Sequence, residues 1–415
     1  MKIITIGLGY IGLPTAIILS QHGHEVVGVD INPSIVNSLN DGILTIEEPG
    51  LDEHFQNSLR SKQFKATLAS EAGDVFIIAV PTPNNNDALR SCDLTYVEAA
   101  IQSCLPHLKK GNLVIVESTI APRSMSATIA PLIEENGFEI GKDIFLGHCP
   151  ERVLPGNMMF ELKNNPRIIG GMTETCTKKI SELYATFVEG ELIQTGAEVA
   201  ELSKLMENTY RDVNIALANE LVKIGGYLNI DALDVIKMAN KHPRVNLHMP
   251  GPGVGGHCLA VDPYFVAAEA PEQSPLIQTA RAINESMPQH IVKMIEQFMF
   301  GAPNLKISIL GLAYKGNIDD ARESPSLKIV DKLREKGFEL AIHDEHVEYA
   351  DKSATIFEAT KDSSLVVVLT DHSEYKDLSH ETGHMKREFI FDTKAVVSIY
   401  SSTAECVHLG SAFVR

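Results

Sequence analysis

The residues whose types and spacing favour chemistry lie in one glycine-rich stretch, from Pro250 to Asp262. It reads Pro-Gly-Pro-Gly-Val-Gly-Gly-His-Cys-Leu-Ala-Val-Asp, with a cysteine at 258 and an aspartate four residues later. Four glycines and two prolines within seven residues predict a loop, because no regular helix or strand tolerates them. Bare N–H groups in such a loop can bind an oxyanion or a phosphate. Cys258 is then either a nucleophile with a stabilised thiolate or an inert thiol in a tight turn.

A second group of glycines follows the first predicted strand, at residues 2–6. The sequence Gly7-Leu-Gly-Tyr-Ile-Gly12 leads into a predicted helix at 13–22 and a second strand that ends at Asp30. This is the complete strand–helix–strand setting of a dinucleotide site, in which the glycines admit a pyrophosphate and the acid accepts from the ribose hydroxyls. An acid at position 30, with no arginine directly after it, favours NAD over NADP.

Polar residues follow the next predicted strands, at 74–80 and 113–117. Thr82 and Thr119 lie just beyond their carboxyl ends, where open α/β sheets bind ligands, although a threonine there can also simply cap the strand. Residues 145–151 are predicted as the last strand of this domain. Glu151 and Arg152 at its end are suited to catalysis and phosphate binding, or they form a surface ion pair of little consequence.

The pattern changes near Thr195. From 198 to about 227 the apolar residues recur at mostly helical spacing, which predicts one long helix that links domains and offers a dimer interface. Lys204 and Asn208 are four residues apart, so both lie on one face of this helix.

A second α/β domain is predicted near the end of the chain. Predicted strands at 306–311, 338–344, 365–369 and 388–392 alternate with a helix at 326–336, but no complete G-x-G-x-x-G appears, so a second dinucleotide is not implied. The predicted fold is therefore α/β, with two Rossmann-like, doubly wound domains joined by a long central helix and a helical middle domain. The predicted domains are 1–194 for NAD binding, 195–300 for dimerisation and the cysteine loop, and 301–415 as the second Rossmann-like domain, whose role as the nucleotide-sugar-binding domain is implied only by the family resemblance given below.

Composition narrows the class of protein. A length of 415 residues suggests two or three domains, and the net charge of −18 argues against nucleic acid as the main partner. No signal-peptide pattern opens the chain and no apolar run approaches about 18 residues, so a cytoplasmic protein without a membrane segment is expected. The six cysteines show no C-x-x-C pair, which predicts free thiols and no metal site.

Taken in chain order, these motifs resemble the UDP-glucose/GDP-mannose dehydrogenase family over nearly the whole length. The resemblance rests on Gly7-x-Gly-x-x-Gly12, Pro150-Glu151, Lys204-Leu-x-Glu-Asn208, Gly255-Gly-His-Cys258-x-x-x-Asp262 and Lys315 to Pro325. Within the family the chain is most similar to members that oxidise UDP-N-acetyl-D-mannosamine for bacterial capsules and surface glycans, through 149–156, 210–220, 242–246 and 257–263. Enzymes for UDP-glucose have a second acid where this chain has Pro155.

The resemblance implies an NAD-dependent, four-electron oxidation of a sugar C6 alcohol to a carboxylate. Cys258 adds to the intermediate aldehyde, and oxidation of the thiohemiacetal gives a thioester that water hydrolyses. Lys204 and Asn208 stabilise the oxyanion. Asp262 and Glu151 position and activate water, and Thr119 holds a water nearby.

The resemblance also implies the binding residues and a homodimer. For NAD they are Gly7, Gly9, Tyr10, Ile11, Gly12, Asp30, Thr82, Thr119 and Arg322. For the UDP-sugar they are Arg152, Val153, Lys204, Asn208, Arg244, Gly255 and Lys315. Arg244 is expected to reach the site of the partner subunit.

Several alternatives stay open. UDP-N-acetylglucosamine, UDP-glucose and GDP-mannose are rival substrates, since a few pocket contacts separate such sugars. A two-electron 3-hydroxyacid dehydrogenase shares the first domain and the long helix, but it needs no cysteine and yields one NADH per substrate. A non-catalytic NAD-binding module is disfavoured because Lys204, Asn208, Cys258 and Asp262 are all present.

Overall fold

The computed structural model of the chain describes residues 1–153 and 156–412. These residues form two compact units. The first comprises Met1–Glu207 with Tyr264–Pro271, and the second comprises Asn208–Pro263 with Glu272–Arg415. None of the helices in the described residues has a stretch long and apolar enough to cross a membrane.

The first unit is built on an eight-stranded sheet. Its strands are β1 (Lys2–Ile6), β2 (Glu25–Val29), β3 (Phe64–Thr67), β4 (Val75–Ile78), β5 (Leu113–Val116), β6 (Phe145–His148), β7 (Arg167–Gly171) and β8 (Leu192–Gly196). They lie in the order β3-β2-β1-β4-β5-β6-β7-β8, and every pair is parallel except β6 with β7. The first six strands have the order of a classical dinucleotide-binding sheet.

Helices cover both faces of this sheet because its strands are apolar on both sides. On β1, Ile3 packs into one apolar cluster and Ile4 into the other, and β4 divides in the same way between Ile77 and Phe76. The helices are α1 (Gly12–Gln21), α2 (Pro33–Asn40), α3 (Leu51–Arg60), α4 (Thr95–Cys104), α5 (Ala130–Glu134), α6 (Met158–Asn164) and α7 (Glu174–Tyr184). Parallel strands and two-sided burial bring the strand ends, with their polar residues, to one edge of the sheet.

The middle of the chain is helical. It contains α8 (Ala197–Leu228), α9 (Ala232–Ala239), α10 (Asp262–Glu269) and α11 (Pro275–Met299). The predicted long helix is therefore present and extends one residue further at each end. Pro288 lies inside α11, where it cannot donate a hydrogen bond to the carbonyl of Asn284.

The second unit contains a five-stranded parallel sheet in the order β10-β9-β11-β12-β13. The elements are β9 (Lys306–Leu310), α12 (Pro325–Glu335), β10 (Glu339–His343), α13 (Ile356–Thr360), β11 (Leu365–Val368), α14 (Ser379–Thr382), β12 (Phe389–Asp392) and β13 (Glu405–His408). This is the other common order of doubly wound sheets. The predicted fold class, two doubly wound α/β sheets and a long helix, is confirmed.

One element prediction was wrong. The strand expected at 145–151 ends at His148, and it is not the last of its sheet, because β7 and β8 follow. These two strands were not predicted from the sequence, for different reasons. Strand β7 begins with Arg167 and ends in two glycines, and β8 is largely exposed at the sheet edge, so neither shows a continuous apolar run.

Candidate active site

The glycines after β1 form a turn that only glycine permits at two of its three positions. Gly7 has a φ of +92°, and a Cβ there would lie 2.3 Å from the carbonyl oxygen of Ala79. A Cβ at Gly12 would lie 1.9 Å from the carbonyl oxygen of Gly7. Gly9 differs, because a Cβ there would meet nothing within 4 Å. The fold itself requires Gly7 and Gly12, whereas the open space at Gly9 lies where a pyrophosphate approaches in this type of site.

Asp30 follows β2 beside this turn. Its carboxylate accepts hydrogen bonds from the backbone N–H groups of Leu8, at 3.0 Å, and Asn32, at 2.9 Å. An ionised carboxylate accepts about four hydrogen bonds, so it has capacity for the two hydroxyls of a ribose. The partly exposed Tyr10 and Ile11 complete the turn. These residues therefore fit a dinucleotide.

Thr82 and Thr119 lie beyond the ends of β4 and β5, as the sequence predicted. The hydroxyl of Thr82 donates to the carbonyl oxygen of Thr119 at 2.6 Å, which ties the two loops together. Both threonines are partly exposed. They frame the same edge of the sheet as the glycine turn.

The corresponding acid of the second sheet is already fully engaged. Asp344, after β10, is buried and accepts from the backbone N–H groups of Leu312, Ala313, His346 and Val347, and from the ring of His372. Burial works to raise the pKa of Asp344, but these hydrogen bonds outweigh it and hold the pKa well below its usual range. This carboxylate therefore has no capacity for ribose hydroxyls, unlike Asp30.

The cysteine loop packs within the second unit through its glycines. A Cβ at Gly255 would lie 2.7 Å from Cβ of Tyr314, and Gly256 has a φ of +83° and donates its N–H to the carbonyl oxygen of Arg322 at 3.1 Å. A Cβ at Gly253 would lie 3.5 Å from the carbonyl oxygen of Asn284, beside Pro288. These glycines are thus needed for packing of the loop itself.

A buried amide fixes the start of this loop. Asn219 of α8 accepts a hydrogen bond from the N–H of Gly251 at 2.9 Å and donates to Asn284 of α11, also at 2.9 Å. Asn284 in turn donates to Asp212, which pairs with Arg281 at 2.7 Å. These hydrogen bonds were not predicted, because the spacing of asparagines along a helix does not indicate which residues their side chains contact.

The same unit brings Asn208 and Asp262 together at the other end of the loop. The side-chain amide of Asn208 donates to Oδ2 of Asp262 at 2.6 Å, and Asp262 is buried. The backbone N–H of Asp262 donates to the carbonyl oxygen of Cys258 at 2.8 Å. Cys258 is partly exposed and lies in the turn that leads into α10.

Lys204 lies one turn before Asn208 on α8 and is 6% exposed. Within the first unit its ammonium acts on the end of β6. Burial lowers the pKa of His148 to about 3, and the charge of Lys204 contributes to this lowering. Glu201, one turn earlier, accepts from the N–H groups of Arg123 and Met125 and so anchors α8 to the loop after β5.

Glu151 is more constrained than the sequence indicated. It accepts from the N–H groups of Arg152, at 2.6 Å, and Val153, at 3.0 Å, and from the guanidinium of Arg167 at 2.9 Å. Arg152 does not pair with Glu151 through its side chain but forms a bidentate pair with Glu207. Pro155 lies outside the described residues.

The remaining predicted residues are exposed. Arg322 forms a bidentate pair with Asp320 and contacts His257 at 3.1 Å. Lys315 forms no ion pair among the residues that the structure describes, and Arg244 lies in an exposed loop with its N–H on His242.

Among the described residues, one group has the composition of a metal site, His346, His372 and Glu374 of the second unit. His372 accepts from the N–H of Asn317 and donates to Asp344, so both of its ring nitrogens are engaged. His346 and Glu374 remain as a pair 3.4 Å apart, which is too few ligands for a zinc site.

Comparison with known proteins decides the family. The NAD binding domain of the UDP-glucose/GDP-mannose dehydrogenase family matches residues 1–188, its central domain matches 198–286, and its UDP binding domain matches 308–399. The chain belongs to the UDP-glucose/GDP-mannose dehydrogenase family. It is therefore an NAD-dependent nucleotide-sugar dehydrogenase, as predicted, and NAD is its cofactor.

Individual members of the family are similar over their full length. The structure of the UDP-N-acetyl-mannosamine dehydrogenase Cap5O from Staphylococcus aureus is 54% identical, with a TM-score of 0.94 and 99% of each chain covered. A UDP-N-acetyl-D-mannosamine dehydrogenase of Methanococcus maripaludis is 45% identical, covering 95% of this chain and 93% of its own. An NDP-N-acetyl-D-galactosaminuronic acid dehydrogenase of Ralstonia solanacearum is 41% identical, covering 95% of both.

The geometry around Asp30 generates a prediction for this dehydrogenase. Asp30→Ala removes the acceptor of the ribose hydroxyls and is expected to weaken NADH binding about ten- to a hundredfold, the usual loss for hydrogen bonds to a charged group. Fluorescence titration with NADH measures it. Asp41→Ala, an exposed aspartate after α2, is the matched control and should bind as the unaltered enzyme does. Equal affinity in the two variants would contradict the assignment.

Proposed function

We propose that the enzyme oxidises the C6 hydroxyl of UDP-N-acetyl-D-mannosamine to the carboxylate, with the consumption of two NAD. The names of the Staphylococcus and Methanococcus relatives support the sugar. The observation that supports the chemistry is the hydrogen bond from Asn208 to Asp262, next to the turn that holds Cys258. It joins an amide to a carboxylate four residues after the thiol of Cys258, and an amide, a carboxylate and a thiol are the groups that a covalent oxidation of an aldehyde requires.

The first oxidation converts the alcohol to an aldehyde. NAD, held by Gly7, Gly9, Gly12, Asp30 and the two threonines, supplies the hydride acceptor for both oxidations. The proton of the hydroxyl passes to a water held near Thr119 and the acids. Lys204 and Asn208, one helical turn apart, stabilise the negative charge that develops on the sugar oxygen.

The second oxidation requires addition to the aldehyde. The thiolate of Cys258 attacks the carbonyl carbon and forms a carbon–sulfur bond, and the resulting oxyanion again faces Lys204 and Asn208. Loss of a hydride leaves a thioester. Water then attacks the thioester carbon, the carbon–sulfur bond breaks, and the thiolate of Cys258 is regenerated as the uronate forms. Asp262 and Glu151 orient this water and take up its proton.

The nucleotide sugar is held by residues from several parts of the chain. We assign Arg152, Val153, Gly255 and Lys315 to this role together with Lys204 and Asn208, and Arg322 to the cofactor. In the structure the guanidinium of Arg152 pairs with Glu207 and that of Arg322 with Asp320. Both pairs are partly exposed, so either arginine can exchange its partner for a ligand at small cost.

A homodimer completes the site in this proposal. The exposed face of α8 carries a stripe of large apolar side chains, Val199, Leu202, Met206, Tyr210, Leu217, Ile224 and Leu228. Such a stripe at steps of three, four and seven residues is typical of helix–helix interfaces. Arg244 is exposed and is assigned to the nucleotide sugar of the partner subunit.

The domain roles and the setting follow. Residues 1–194 bind NAD, 195–300 carry the dimer face and the cysteine loop, and 301–415 bind the nucleotide. All six cysteines are free thiols, which suits a reducing cytoplasm. We assign the uronate product to capsule or surface polysaccharide synthesis.

The substrate is tested with a turnover panel. UDP-N-acetylmannosamine is expected to give the highest kcat/KM and two NADH per uronate, against UDP-N-acetylglucosamine, UDP-N-acetylgalactosamine, UDP-glucose and GDP-mannose. Preference for the galactosamine sugar would favour the activity named for the Ralstonia relative, and one NADH per substrate would indicate a two-electron dehydrogenase instead.

Replacement of the thiol tests the covalent step. Cys258→Ser is expected to lose uronate formation by a factor of about a thousand or more, while NADH binding is retained, since the cofactor residues lie elsewhere in the chain. Uronate is quantified by mass spectrometry. Cys406→Ser, a thiol on β13, is the control and should remain active. Undiminished activity of Cys258→Ser would remove the thioester from the mechanism.

The contribution of Arg244 across the interface is tested with mixed dimers. Arg244→Ala and Cys258→Ala are each expected to be inactive alone. In co-expressed hybrids of a two-fold dimer, one site of each heterodimer is intact, so about a quarter of the unaltered activity should return. Absence of recovery in isolated hybrids would show that Arg244 acts within its own subunit.

A further inference from the structure

A buried network of charges lies behind Glu151 in the first unit. Its centre is Arg167, the first residue of β7, whose guanidinium donates to Oε2 of Glu151 at 2.9 Å and to Oε1 of Glu117 at 2.6 Å. The side chains of Arg167, Glu117 and Glu151 are 6%, 0% and 7% exposed. One cation is therefore shared by two carboxylates out of contact with bulk water.

Glu117 is held on its other sides as well. The hydroxyl of Tyr184 donates to Oε1 of Glu117 at 2.6 Å, and the hydroxyl of Thr15 donates to Oε2 at 3.2 Å. The guanidinium of Arg167 also lies over the ring of Tyr184, 4.5 Å from its centroid. Glu117 follows β5, Tyr184 ends α7 and Thr15 lies on α1. These three elements fix the direction in which Arg167 points.

Glu151 keeps one acceptor position for the reaction. Three donors in the described residues, the N–H groups of Arg152 and Val153 and the guanidinium of Arg167, occupy about three of the four positions of a carboxylate. The remaining position belongs to Oε2, the oxygen that Arg167 holds. Glu151 and Arg167 also line one small cleft together. Arg167 thus fixes the direction of this oxygen and compensates part of its negative charge.

The two carboxylates compete for the one cation. The pKa of Glu117 is raised, chiefly because burial penalises its charge and in part because Glu151 lies nearby, while Arg167 works against the rise. The other titratable or charged groups around the two acids are Cys149, His148, Tyr184, Arg152, Glu161 and Lys204. Burial raises the pKa of Cys149 to about 12 and lowers that of His148 to about 3, so both are neutral at ordinary pH.

We propose that Arg167 is the positioning residue of Glu151, and that Glu117 sets how much of the guanidinium's charge reaches it. Arg167 aims Oε2 at the water that hydrolyses the thioester and compensates part of the negative charge of the carboxylate, and Glu117 limits this compensation because it shares the same guanidinium. When water attacks, its proton passes to Oε2 and the thiolate of Cys258 leaves. The inference rests on the proposed role of Glu151 in that step.

The test is the pH dependence of kcat at saturating nucleotide sugar and NAD. In Arg167→Met the cation is lost, so the ionised carboxylate is less stable and the acid-side half-maximal pH should rise by about one unit or more. In Glu117→Gln a competing anion is lost while the hydrogen bonds to Arg167 and Tyr184 can remain, so the half-maximal pH should fall. Arg167→Lys keeps the charge and should restore most of the profile.

Shifts of the half-maximal pH in opposite directions in Arg167→Met and Glu117→Gln would distinguish a positioning role from a purely structural one. If Arg167 and Glu117 only stabilise the fold, both variants lower kcat or the melting temperature while the half-maximal pH stays in place, and the inference is overturned. Phe55→Leu, a buried core residue of α3, is the control that lowers stability without contact with the network. It should leave the pH profile unchanged. If Arg167→Met does not fold, the pH profile of Glu117→Gln is compared with that of Arg167→Lys, and only Glu117→Gln should shift.

A second measurement separates the inference from the proposed function. Intact-mass spectra of enzyme quenched during turnover report the fraction of Cys258 that carries the uronyl thioester. Arg167→Met should raise this fraction at low pH, with KM for the nucleotide sugar changed less than about threefold. If Glu151→Gln neither accumulates thioester nor alters the acid limb, the proposed role of Glu151 fails. If Glu151→Gln does both and Arg167→Met does neither, only the inference fails.

Discussion

The hydrogen bond between Asn208 and Asp262 is the contact that holds the end of the cysteine loop in the second unit. At 2.6 Å it ties the long helix α8 to the end of the cysteine loop, and Asp262 in turn holds the carbonyl of Cys258 through its backbone N–H. Lys204 and Asn208 are one turn apart on the same helix. The rigidity of α8 therefore fixes the position of Asn208, and its bond to Asp262 fixes the end of the cysteine loop.

Local sequence signals predicted the framework well. The glycine turn between β1 and α1, the long helix and the strands of both sheets rest on glycine spacing and apolar runs, which act within a few residues of the chain. Strands β3, β8 and β13 were not predicted, because they are short edge strands that are incompletely buried and so show no continuous apolar run. Strand β7 was not predicted because it begins with Arg167 and ends in two glycines. The expected strand at 145–151 was too long, because β6 ends at His148 and the carboxylate of Glu151 binds the loop beyond it and Arg167.

The sequence could not predict which residues form hydrogen bonds with the site residues. Resemblance to the family implied the roles of the residues at 151, 204, 208, 258 and 262. It did not show that Arg167 holds Glu151 or that Asn219 holds Gly251, because those contacts depend on which strands and helices are neighbours. Strand β5 lies beside β6 and β6 beside β7, which brings Glu117, Glu151 and Arg167 together from positions up to 50 residues apart.

The proline inside α11 has a consequence for how the cysteine loop is held. Pro288 leaves the carbonyl of Asn284 without its usual helical donor, and the cysteine loop packs at that break, with Gly253 against the same carbonyl. The loop thus packs against an interrupted turn of a neighbouring helix as well as against the side chains of Tyr314 and Pro325. The packing of the loop on α11 therefore depends on a residue without a backbone N–H at position 288.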